Sequence, residues 1–175
     1  MIEKTPILRP RVTNPNFWYP KRPPKNQWDK IRKQVLKRDK YTCAFCGHQA
    51  FKYMNVHHLH ETTPFALENL ITTCVACHAV LHFGRNLSLG VIEIWKTEIS
   101  QVEIIQFTRE SIGQGKTLRE IKKTIQIYEG HHLPNSVEHA NELLSDIGAK
   151  PSAELPEPLS AIFVNFKRWQ ISNSD

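Results

Sequence analysis

The chain has 175 residues, of which 40% are hydrophobic and 23% charged, with a formal net charge of +6. That is enough for one modest core plus an extension and excludes a globally disordered chain. No apolar run approaches the roughly 20 residues needed to cross a bilayer, and the opening "MIEKTPILRPRV" lacks the apolar stretch of a signal peptide. A cytoplasmic location is therefore expected, with no membrane partner. In that compartment four cysteines are thiols or metal ligands rather than disulfides.

The charge is uneven. Residues 1–40 carry twelve Lys/Arg against three Asp/Glu, a net of +9, while the rest carries eleven against fourteen, a net of −3. A basic segment so concentrated favours a polyanion, nucleic acid first.

In chain order, residues 1–24 hold six prolines and the aromatic run Phe17-Trp18-Tyr19, and read as an extended arm rather than a packed element. "NQWDKIRKQVLKRDK" follows. Trp28, Ile31, Val35 and Leu36 share one face at helical spacing, and Lys30, Arg32, Lys33, Lys37 and Arg38 occupy the others. This predicts a basic amphipathic helix that ends before "YTCAFCG". "YMNVHHL" then reads as a strand, "HETTPFALENL" as a loop and "LGVIEIW" (89–95) as strand.

Ser100 and Glu103 form a capping box for the next helix, with Ile99 and Ile104 as a staple across it. Thr117 and Glu120 repeat the box for a helix that Gly130 stops. A third helix is expected from about 135 to 148. Pro151, Pro156 and Pro158 suggest an extended linker, and "LSAIFVNFKRWQI" a short apolar element, helix rather than strand.

The chemistry-bearing residues lie between 43 and 85. Cys43-x2-Cys46 and Cys74-x2-Cys77 use every cysteine in the chain. Each knuckle turns two thiolates toward one point, and two knuckles supply four soft ligands with no open position, the donor set of a structural zinc. His78 and His82 are four apart, on one face of the helix that Cys77 starts. His57 and His58 are adjacent in a strand-like run, so their side chains point to opposite faces. Three imidazoles from His57, His78 and His82 would leave an open position on a second metal, and His58 would stay available to take a proton. His48, His131, His132 and His139 read as surface or loop residues, and His60 is ambiguous.

The string "WDKIRKQVLKRDKYTCAFCG…NVHHL…LENL…CVACHAVLH" resembles the HNH endonucleases, in the subgroup stabilised by two CxxC knuckles. The match covers roughly residues 27–85. The resemblance implies an α+β chain built on a ββα-metal core at 25–88, with a structural zinc. The arm 1–24 and the basic helix precede the zinc motif, a strand-plus-helix extension spans 89–150, and a Pro-rich terminal segment covers 151–175. His58 would be general base, and Asn69 would orient it or bind metal. His57, His78 and His82 would hold one catalytic divalent metal. Many relatives carry Asp at the His57 position, so an all-imidazole set favours Zn, Ni, Co or Mn over Mg.

The expected activity is metal-dependent hydrolysis of nucleic-acid phosphodiesters, with DNA as the expected substrate. Lys30, Arg32, Lys33, Lys37, Arg38 and Arg85 would provide the phosphate contacts. Residues 98–150 offer a surface for a protein partner or dimer. The alternative is a non-cutting, zinc-stabilised nucleic-acid-binding or assembly adaptor. "LGVIEIWKTEISQVEIIQFTRE" is similar to the tail of a type IV secretion adaptor family whose HNH-like fold has lost its active residues.

Overall fold

The structure is a computed structural model that describes residues 6–14, 23–59, 65–127, 130–132, 136–148, 150–155 and 158–164. The chain mixes helices with small antiparallel sheets. The basic helix is α1 (Lys25–Arg38), which buries Val35 and Leu36 and turns its lysines outward. Asp39 ends it. Lys40 and Tyr41 then take left-handed backbone (φ 51° and 55°), and the Tyr41 N–H reaches back to the Leu36 carbonyl at 2.8 Å. This sharp reversal aims the first cysteine pair at the core.

β2 (Asn55–His58) and β3 (Leu70–Thr73) pair antiparallel, with His57 opposite Ile71 and His58 opposite Leu70. α2 (Val75–Leu81) follows β3 directly and α3 (Phe83–Ser88) follows α2, so hairpin and helix share one hydrophobic core. Cys74 is the N-cap of α2. His82 closes α2 rather than lying within it, although its N–H still donates to the His78 carbonyl at 3.2 Å.

Beyond the histidines, β4 (Ile92–Lys96), α4 (Gln101–Gly113) and α5 (Leu118–Ile127) form where the sequence predicts them. Both capping boxes are present: Ser100 Oγ accepts from the Glu103 N–H at 3.3 Å, and Thr117 Oγ1 from the Glu120 N–H at 3.3 Å. Ile99 and Ile104 meet in a second, smaller core with Trp95, Ile121, Ile125 and Ile162. Gly130 is buried where a Cβ would lie 2.8 Å from the Ile125 side chain, so only glycine lets the chain leave α5 so closely. β5 (His131–His132), read from the sequence as surface or loop, pairs antiparallel with β4, and α6 (Ser136–Asp146) forms where a third helix is expected.

Three expectations are overturned. Residues 6–14 are not a loose arm: β1 (Arg11–Thr13) pairs antiparallel with β6 (Ser152–Glu154), Leu8 and Val12 are buried, and Arg11 donates to Glu154 at 2.8 Å. The stretch read as a Pro-rich linker is the partner strand. The apolar element that follows is also a strand, not a helix: β7 (Leu159–Phe163) runs antiparallel along β4. Pairing decides between strand and helix here. On the side of β7 away from β4, the Gln101 amide donates to the Ala161 carbonyl at 2.9 Å and accepts from its N–H at 2.7 Å. Ala161 thus has hydrogen-bond partners that no helix would give it.

The aromatic run 17–19, His60 and residues 165–175 lie outside the described residues. Among the described residues, no helix is long and apolar enough to cross a membrane.

Candidate metal centres

The two cysteine pairs arrive from separate elements. In the first, the Cys43 N–H donates to the His48 carbonyl at 2.8 Å and the Gly47 N–H to the Cys43 carbonyl at 3.0 Å. Gly47 has φ 73°, the left-handed turn that lets the knuckle close. In the second, Cys74 caps α2 and its Sγ accepts from the Cys77 N–H at 3.5 Å. The knuckles are tied by an Ala44 N–H to Thr72 carbonyl bond of 2.9 Å, and Asp39 accepts from the Thr72 N–H at 2.9 Å.

The four Sγ atoms lie within 4.8 Å of one another, all buried, with Cys46 and Cys74 3.7 Å apart. Ionisation is shared unequally among them. Hydrogen bonds from Cys43, then Cys74 and Cys77, drive the Cys46 pKa far down. Cys43 is pushed up by Cys46, but Cys74 and Cys77 outweigh that and bring it to about 7. Bonds with Cys43 and Cys46 push both Cys74 and Cys77 well up, and burial adds to this. Four sulfurs this close cannot all carry charge by themselves. A dication among them removes that conflict, so the donor set fits a structural zinc.

The second cluster begins one residue after Cys77. His57, His78 and His82 each offer a ring nitrogen within 4.8 Å of the others. Their rings stand 5.5 Å (57–78), 5.2 Å (57–82) and 4.5 Å (78–82) apart. Burial, then the neighbouring His78 and His82, hold the His57 pKa well below its usual 6.5. A neutral imidazole keeps the lone pair that a metal needs, so this trio also fits a divalent ion with further positions open.

His58 takes the other side of the strand. Its ring stacks on Trp28 of α1, with centroids 6.0 Å apart and planes within 14°, and meets the Phe65 edge at 6.0 Å. Asn69 is buried in the 3-10 turn Leu67–Asn69, and its carbonyl accepts from the Leu59 N–H at 2.8 Å. The residue after His58 is therefore pinned to Asn69, which places the two predicted catalytic positions on adjoining backbone.

The basic residues divide. Lys30, Lys33, Lys37 and Arg85 are exposed. Arg32 donates to the Met54 carbonyl at 2.7 Å, and Arg38 donates to the Leu67 and Leu70 carbonyls at 2.6 Å each and pairs with Asp39 at 2.7 Å. These two arginines fasten α1 to the hairpin.

Sequence reasoning missed Arg109. From α4 its guanidinium donates to Cys46 Sγ at 3.5 Å and Cys74 Sγ at 3.3 Å. One turn earlier Gln106 donates to the Cys46 carbonyl at 3.2 Å. Burial opposes the charge of Arg109, yet the Cys74 and Cys46 sulfurs hold its pKa above the ordinary value. The only local sign is Gln106 and Arg109 at i, i+3 on one helix face.

No family model matches the chain. It is similar to the type 4 apparatus protein DotN of Legionella pneumophila, at 30% identity over 100 residues. The match covers 53% of this chain and 46% of DotN, so the chain spans less than half the length of that relative.

Proposed function

We propose that the chain is a metal-dependent endonuclease of the HNH type, acting on nucleic-acid phosphodiesters, with DNA as the substrate. One observation carries this reading. His57, His78 and His82 converge within 4.8 Å on a hairpin-then-helix, while His58 sits on the opposite face of the same strand.

His57, His78 and His82 would hold the divalent ion, which supplies Lewis acidity at the phosphate and its leaving oxygen. His58 accepts the proton of the attacking water as that oxygen bonds to phosphorus. The bond from phosphorus to the leaving oxygen then breaks, and the leaving oxygen takes a proton from solvent. The stack on Trp28 fixes the ring plane of His58, and the pinning of Leu59 to Asn69 fixes its strand. Lys30, Lys33, Lys37 and Arg85 hold the phosphate backbone without reading sequence. The four cysteines would hold a structural zinc, which would keep hairpin, knuckle and helix together. The all-imidazole donor set favours Zn, Ni, Co or Mn over Mg.

The similarity to DotN favours a second reading, an assembly component of a type IV secretion apparatus. Plasmid cleavage measured across Mg, Mn, Co, Ni and Zn, with His58→Ala as control, separates the two. Cleavage that needs both the metal and His58 supports the nuclease. A zinc-loaded, folded chain that cuts with none of the five metals supports the assembly component.

A further inference from the structure

Four thiolates around a divalent ion leave two negative charges in excess. All four cysteines here are buried, and uncompensated charge in a low-dielectric interior is costly. The backbone relieves part of this through the Cys77 N–H on Cys74 Sγ. Among the described residues, a full positive charge reaches the sulfurs from far along the chain. Arg109 of α4 places Nη1 3.5 Å from Cys46 and Nη2 3.3 Å from Cys74, one sulfur from each knuckle. Gln106 holds the same knuckle by the Cys46 carbonyl at 3.2 Å. The helix is fixed further by Ile105, buried in the same core as the four cysteines, by Ile104 in the second core, and at its start by the Ser100 capping box.

We infer that Arg109 is the charge clamp of the four-cysteine metal centre: its planar guanidinium bridges the two knuckles, so metal retention depends on the docking of α4. The geometry is specific to arginine. Two N–H groups of one rigid fork span two sulfurs, whereas a lysine ammonium at the end of a flexible stem supplies the charge without the fork. The helical extension after residue 98 is then part of the metal centre rather than an appendage to it. This inference rests on the cysteine centre and not on the nuclease reading.

The test uses the full chain loaded with cobalt or zinc and reads no cleavage. A hydrogen bond to a thiolate lowers the energy of its lone pairs. Removing two such bonds in Arg109→Met should therefore move the sulfur-to-cobalt charge-transfer absorption to longer wavelength. Chelator competition should show zinc held roughly 10–100-fold more weakly, the usual cost of losing a partner that supports metal ligands. Arg109→Lys, which keeps the charge, should recover part of both. If Arg109→Met fails to fold, Arg109→Lys carries the test alone: a displaced band with weaker retention supports the clamp, and wild-type values overturn it. The inference also falls if Arg109→Met keeps the wild-type spectrum and affinity. It falls as well if both variants lose zinc equally with the band unmoved, because that pattern reports packing alone. A wild-type chain that gives no thiolate–cobalt band would overturn the clamp together with the centre it serves.

Discussion

Gln101→Leu tests how the C-terminal strand is held. Gln101 is 5% exposed, and its amide forms two hydrogen bonds with the backbone of Ala161, a residue with no exposure at all. Leucine nearly matches the volume and removes both partners. The Ala161 N–H and C=O would then be buried without partners, at about 1–3 kcal/mol each, giving a loss of about 2–6 kcal/mol. For a chain of this size one kcal/mol moves Tm by roughly 2–4 °C, so the melting temperature should fall by roughly 4–24 °C. Amide hydrogen exchange should show Ala161 losing protection together with its neighbours in β7. A Tm within a degree of wild type, with Ala161 still protected, would refute the reasoning and mean that β4 alone holds the strand.

Three other outcomes follow from the same structure. Cys43→Ser should abolish stoichiometric zinc and collapse the knuckle, because a structural metal contributes folding free energy directly; zinc analysis with a melting curve checks this. Lys33→Gln with Lys37→Gln should weaken binding alike for all sequences and flatten the log–log salt slope, measured by fluorescence anisotropy, by up to about 0.9 for each duplex phosphate that is no longer neutralised. With zinc on the cysteines and no metal on the histidines, the protein should lose stability as pH falls through about 6.5. His57 stays neutral in the folded state while its unfolded counterpart takes up a proton, so the loss is at most about 1.4 kcal/mol per pH unit for this group, read from denaturant unfolding between pH 7 and 5.

What was legible in the sequence was local. The capping boxes at Ser100 and Thr117 and both knuckles span three positions, and the His78–His82 pair one helical turn, so each carries its own geometry. The adjacent His57 and His58 needed only the alternation of a strand to point apart. The failures were all long-range. β1 and β6 are joined by a bond between Arg11 and Glu154, 143 positions apart, and prolines nearby made both segments look like loose connections. β7 looks helical in isolation and becomes a strand because β4 and Gln101 take its backbone groups. Arg109 lies 63 and 35 positions from the sulfurs it touches, with nothing in its own turn to mark it beyond Gln106. Charge alone also could not show that Arg32 and Arg38 donate to backbone carbonyls of the hairpin and its approaches.

The nuclease reading depends most on the division of labour between two neighbours, and metal titration of His57→Ala and His58→Ala by calorimetry, with cleavage rates at saturating metal, tests it directly. His58→Ala should keep the metal affinity of the imidazole trio and lose about 10²–10⁴-fold in rate, the usual worth of a general base. His57→Ala should bind the metal more weakly and regain part of its rate in excess metal, because the base is still in place. Metal lost from His58→Ala but not from His57→Ala would invert the assignment, and cleavage unchanged in both would contradict the nuclease reading itself.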